Sequence, residues 1–168
     1  LSDVVVLTGP PGAGTDAAAE LLARRIPRGA VIDAELLHGM ISVGRRQPWE
    51  GEGGSAQRDL RVRNACALAA NFVAAGYNPI VRDLLTDRTA TLYRTLLAPI
   101  TAKIVLLLPS FEAVDQRNAS RTPPFASDVL RALYDSQRQL SEFDHLLDNT
   151  NLNATAVSER LYEDIVKP

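Results

Sequence analysis

Lysine is nearly missing from this chain: of 18 basic residues only Lys103 and Lys167 are lysines, and the rest are arginine. Any role that needs an ammonium group must be met at one of those two positions or by a guanidinium. Cysteine is equally scarce. The single Cys66 excludes an internal disulfide and a cysteine-built zinc site. The two histidines, His38 and His145, stand far apart without an evident partner, which disfavours a histidine metal cage and leaves both as structural residues. No apolar run approaches the ~18–20 residues of a membrane-spanning helix. No charged lead with a cleavable apolar stretch opens the sequence, so a soluble cytoplasmic protein is the expectation. Excess positive charge is also lacking. The net charge is −2 and the pI about 5.7, so no overall field draws the chain to nucleic acid or a membrane surface. Oligomeric state leaves no mark in the letters.

What is present is an alternation of short apolar runs with amphipathic ones, in a chain of 168 residues that suits one domain. Val4-Val5-Val6-Leu7, Ala30 to Ile32, Pro79 to Val81, Lys103 to Leu108 and a weaker run at His145 to Leu147 read as strands. The continuously apolar character of the first and fourth fits burial on both faces. Helices are expected over Ala17–Ile26, Ala34–Val43, Ala56–Ala75, Asp87–Leu97, Phe111–Ala119, Ala126–Leu140 and Ala154–Val166. Gly76 closes the third of these. One long polar loop, Gly44 to Gly54, lies between the second and third helices, and loops of that length are often functional. Strand–helix alternation of this kind predicts a parallel five-stranded α/β sheet covered by helices on both faces. Ligands of such sheets bind at the carboxyl ends of the strands, where Asp33, Asp83 and the first turn should converge.

That first turn is Gly9-Pro10-Pro11-Gly12-Ala13-Gly14-Thr15-Asp16, between a buried strand and a helix. Its glycines match both anchors of the phosphate-binding spacing G-x-x-x-x-G-K-[ST]. Glycines let the backbone wrap a phosphate so that successive amides, Gly12, Ala13 and Gly14 among them, point inward at the positive end of the helix dipole. The order G-x-x-G-x-G fits neither dinucleotide turn, and no tyrosine is followed four residues later by lysine. Two side chains depart from the pattern. Thr15 stands at the lysine position and Asp16 at the Mg²⁺-binding Ser/Thr position. Asp16 either caps its own helix, filling the anion hole from within, or holds Mg²⁺ directly while an arginine from elsewhere replaces the lysine.

The turn, the stretch Val31-Ile32-Asp33-Ala34-Glu35-Leu36-Leu37-His38, the segment Trp49-Glu50-Gly51-Glu52-Gly53, the run Arg61-Val62-Arg63-Asn64-Ala65 and the segment Arg117 to Arg121 together resemble a P-loop small-molecule kinase. The chain is similar to the chloramphenicol phosphotransferase-like group of antibiotic-resistance kinases and resembles shikimate, gluconate and nucleoside monophosphate kinases more distantly. The resemblance covers almost the whole chain and implies a three-layer P-loop kinase fold using ATP (or GTP) and Mg²⁺. It makes Asp33 a base toward the substrate hydroxyl, with helix capping as its plainer role and Glu35 as a weaker candidate. It places Asp83 at the Mg²⁺ hydration shell. Arg82 beside it is either a structural ion-pair partner or the missing cation. Arg117 and Arg121, four residues apart, would share one helix face and form a lid over the phosphates across about 117–126, or else a solvated helix edge.

On the acceptor side, the Gly44–Gly54 loop offers Arg45 and Trp49. The indole either stacks on a substrate ring or pins the loop to the body. Arg58, Arg61 and Arg63 are candidates for a polar substrate pocket, whereas Lys103 reads as a surface residue. The implied activity is phosphoryl transfer to a hydroxyl of a small molecule, such as an antibiotic or related natural product. The loss of both chemical side chains at positions 15 and 16 leaves a second expectation, a kinase fold kept as an inactive ligand-binding or regulatory module. Other chemistry in the same pocket lacks a nucleophile–base pair to support it.

Overall fold

In the computed structural model, which describes residues 3–167, five strands form one sheet: β1 (Asp3–Thr8), β2 (Gly29–Asp33), β3 (Asn78–Arg82), β4 (Thr101–Leu107) and β5 (His145–Leu147). Their spatial order is β2-β3-β1-β4-β5 and every pairing is parallel. Seven helices cover it: α1 (Thr15–Arg25), α2 (Ala34–Gly39), α3 (Gly51–Ala74), α4 (Asp87–Leu97), α5 (Phe111–Ala119), α6 (Ser127–Arg138) and α7 (Ala154–Leu161). The chain continues from α7 into a five-residue π-helical turn, Tyr162–Val166.

The period of two along β1 divides the core. Val4 and Val6 face one layer, with Val62 and Cys66 of α3 and Tyr93 and Leu97 of α4. Val5 and Leu7 face the other, with Ala18, Ala19 and Leu22 of α1 and Val157 and Leu161 of α7. All four β1 residues are at most 4% exposed. Burial on both faces is why the strand reads as an unbroken apolar run. A smaller cluster, Val114, Leu130 and Tyr134, joins α5 to α6.

The expected architecture is the observed one, with two differences at the helices beside the site. α2 ends at Gly39 rather than Val43, and α3 begins at Gly51, five residues before the expected start. The glycines of 51–54 suggest a loop, but they serve close packing inside the helix. A Cβ at Gly54 would collide with the Gln47 carbonyl, and one at Gly53 would sit 3.0 Å from Arg46 Cδ. The polar loop is therefore shorter, and Gln57 on α3 closes it. Gln57 Oε1 accepts from the Arg46 amide at 2.8 Å, and its Nε2 donates to the Gly44 carbonyl at 2.8 Å.

Candidate functional site

β1 ends at Thr8 beside the ends of β3 and β4, and the chain turns there through Gly9–Gly14 into α1. Gly12 and Gly14 have φ of 87° and 84°, a region in which a side chain is strained. A Cβ at Gly9 would meet the Leu107 carbonyl, so the loop must pass close over β4. Ala13 N donates to Pro10 O at 2.9 Å, which curls the turn and, against expectation, removes the Ala13 amide from those free to meet an anion. No side chain caps α1. Among the described residues, the amides of Gly12, Gly14, Thr15 and Asp16 have no protein acceptor. Uncapped amides at the positive end of a helix dipole form an anion cradle. The expectation that Asp16 fills this cradle from within is thus corrected. Its carboxylate turns outward instead, taking a 3.3 Å hydrogen bond from Thr15 Oγ1 and an ion pair from Arg82.

Arg82 is the hub of the site. Strand register sets it level with Asp33 on β2 and Leu7 on β1. Because Ile80 faces α1, Arg82 two residues on does so too. One end of its guanidinium pairs with Asp16, and Nη2 lies 2.6 Å from Asp33 Oδ2. Asp33 takes the capping role foreseen for it: Oδ1 caps α2 by accepting from Glu35 N at 2.9 Å and Leu36 N at 3.3 Å, while Oδ2 is held by Arg82. Glu35 turns the other way, to Arg61 at 3.1 Å.

Asp83 is a correction. As the neighbour of Arg82 in an extended chain, it points to the opposite face, under α3 and α4 rather than into the cleft. There it meets Arg61 Nη2 at 2.7 Å and accepts from Tyr93 Oη at 3.0 Å. The side chains of Arg61 and Asp83 are 3% and 2% exposed. Burial pushes the Asp83 carboxyl up to about 6, against the opposing pull of the Arg61 guanidinium. Arg61 is accordingly a buried ion-pair partner rather than the wall of a polar pocket. Arg63 and Arg45 are exposed.

The two lid arginines also part company. α5 stops at Ala119, so Arg121 lies beyond it and shares no helix face with Arg117. Arg121 stands 4.9 Å over the Phe125 ring. Arg117 reaches the glycine-rich loop, but through carbonyls, donating to Gly12 O at 3.1 Å, Asn149 O at 3.1 Å and Thr150 O at 3.4 Å. Trp49 is 66% exposed, so it does not pin the loop to the body. Lys103 is held by Asp3 at 3.0 Å.

Sequence reasoning overlooked two supports of the loop. Buried Asn149 donates to Ala13 O at 2.8 Å. Buried Gln137 on α6 accepts from Thr8 Oγ1 at 2.9 Å and donates to Leu85 O at 2.8 Å, while the Leu85 amide donates to Thr8 Oγ1 at 3.0 Å. Lone amides in polar stretches give no sequence signal; only the crossing of β1, α6 and the β5–α7 turn brings them to the loop.

For a metal, the described residues hold no cluster of three or more His, Cys, Asp or Glu side chains. Asp16 and Asp33 do converge on one guanidinium, and two carboxylates suit Mg²⁺ when substrate phosphates complete its shell. No helix among the described residues is long and apolar enough to cross a membrane.

No protein-family model matches the chain, and none of the curated proteins matches it. Solved structures do. The tunicamycin resistance protein of Deinococcus radiodurans superimposes with a TM-score of 0.74 at 16% identity, over 98% of this chain and 96% of that one. A sugar kinase from Janibacter sp. HTCC2649 gives 0.72 at 19% identity, over 96% and 92%. The Mycobacterium tuberculosis APS kinase CysC, solved with AMPPNP and APS, gives 0.69 at 17% identity, over 96% and 95%. At these identities the likeness is one of fold, and the fold of this chain is that of the P-loop kinases.

Proposed function

We propose that the protein is a phosphotransferase that moves a phosphoryl group from a nucleotide to a hydroxyl of a small molecule. The observation that carries this reading is the set of uncapped amides of Gly12, Gly14, Thr15 and Asp16, joined to the Asp33 carboxylate through the Asp16–Arg82–Asp33 ion pairs. Phosphoryl transfer needs positioning and charge stabilisation more than covalent chemistry from the protein. The loop amides hold phosphate oxygens. Asp33 Oδ2, set at the end of β2 by its capping of α2, accepts the hydroxyl proton. Mg²⁺ held by Asp16 and the phosphates would offset charge during transfer. Arg117 keeps the loop in shape through the Gly12 carbonyl. Acceptor contacts fall to the α2–α3 loop, where Trp49 stands in solvent. Because a tunicamycin resistance protein shares the fold, hydroxylated natural products, antibiotics included, are the acceptor panel to try first.

A second reading has its own observation. Arg82 neutralises carboxylates at the loop while Thr15 brings no charge, an arrangement that also suits ligand binding without turnover. Thermal shift with Mg–ATP, Mg–GTP and ADP, followed by phosphate-transfer assays on the panel, separates the readings. Saturating ligand at ~100 times Kd adds about 2.7 kcal/mol of stability. Binding with transfer supports the enzyme, binding without transfer to any acceptor supports the module, and no shift with any nucleotide removes both.

A further inference from the structure

The loop lacks the lysine that usually serves it, and most other cations near the cleft are committed elsewhere. Lys103 pairs with Asp3, Arg61 with Asp83, and Arg117 with three backbone carbonyls, while Arg121 covers Phe125. Arg82 differs from these. It is about a quarter exposed, it reaches from the first turn of α1 to the end of β2, and it uses only Nη1 and Nη2 on Asp16 and Asp33. A guanidinium carries five N–H donors in a planar fork that matches phosphate oxygens.

We propose that Arg82 is a phosphate ligand held in reserve: a phosphate group seated in the Gly9–Gly14 loop draws it off the two carboxylates, and its departure frees Asp33 Oδ2 for the acceptor's proton. The inference rests on the phosphotransferase reading and specifies how its site is switched on. The Asp33 geometry supplies the coupling. Oδ1 is occupied by the amides of Glu35 and Leu36, so Oδ2 is the oxygen left for a substrate, and Arg82 covers it. Two carboxylates against one guanidinium also leave a net negative charge at the mouth of the cradle. An anion there is repelled by Asp16 and Asp33 and attracted by Arg82, so Arg82 is the group whose partner must change. Nucleotide would then bind before the acceptor can be deprotonated.

A double-mutant cycle read by calorimetry tests this, with metal-free tripolyphosphate at low salt as the probe. Asp16→Asn, which removes one of the two holds on Arg82, should tighten binding about tenfold, and Asp33→Asn should act in the same direction. Arg82→Gln should weaken binding about tenfold. In the Arg82→Gln background, Asp16→Asn should lose most of its gain, because there is no guanidinium left to release. Arg82→Lys keeps a cation and should retain part of that gain, which covers the case of a poorly folded glutamine variant. Equal gains from Asp16→Asn with and without Arg82 would mean simple removal of charge, overturning the reserve role while the phosphate site stands. If neither the wild type nor any variant binds tripolyphosphate or Mg–ATP, the phosphotransferase reading fails and the reserve role goes with it.

Discussion

Arg61 and Asp83 meet at 2.7 Å with both side chains almost wholly out of water, between the sheet and the α3–α4 layer. A buried pair of this kind is costly to break from one side, since the survivor is left charged and unpaired. Arg61→Met should destabilise the protein by about 3–5 kcal/mol at pH 7.5. The loss should shrink on acidification. The folded-state pKa of Asp83, about 6, lies above the ordinary carboxylate value, so folding favours its protonated form. Stability from this group therefore falls as pH rises from the usual carboxylate range through about 6, and it is regained toward pH 5. Without the guanidinium the pKa climbs further, and a protonated Asp83 no longer needs a partner. Urea unfolding of wild type and variant at pH 7.5 and 5.0 checks this; an equal loss at both would show that Asp83 stays ionised.

Thr8, Leu85 and Gln137 form a closed buried set of hydrogen bonds directly before the glycine-rich loop. Gln137→Leu leaves the Leu85 carbonyl and the Thr8 hydroxyl short of partners. A cost of about 2–4 kcal/mol is expected from two unsatisfied buried groups. Adding Thr8→Val should cost less than the two single changes summed, because the partners belong to one network. Denaturant midpoints of the three variants decide it, and strict additivity would mean that the set does not act together.

Cys66 lies 4% exposed on α3. Burial, reinforced by the Asp83 carboxylate, pushes its thiol up to about 12. Thiolate is the reactive form. An aromatic disulfide reagent at pH 8 should therefore modify the native protein only at the rate of opening, and the urea-unfolded chain within seconds to minutes. Prompt stoichiometric labelling of the folded protein would contradict this packing.

Much of the fold was legible in the residues. Buried parallel strands are apolar on both faces, so Val4–Leu7 and the core of Lys103–Leu108 stood out. The bounds of α4 and α5 came through, and Thr86 and Ser110 cap those helices with side-chain hydrogen bonds. The start of α3 was hidden because Gly53 and Gly54 resemble loop formers, and what demands them is contact with residues 46–48, seen only in three dimensions. The site was half legible. Glycine spacing announced the cradle, and strand ends announced Asp33. Asp83 misled, because adjacent residues of a strand must face opposite sides while a strand buried on both faces does not say which side holds the ligand. Arg117 misled in another way. Its partners are backbone carbonyls, and those carry no signature in side-chain type.

The amide cradle is tested most directly by following the backbone amides of a ¹⁵N-labelled sample while Mg–ATP is added. Gly12, Gly14, Thr15 and Asp16, which have no protein acceptor among the described residues, should show the largest and saturable shifts, with α7 amides remote from the loop left still. Saturation that moves amides elsewhere and leaves these four unchanged would contradict the account.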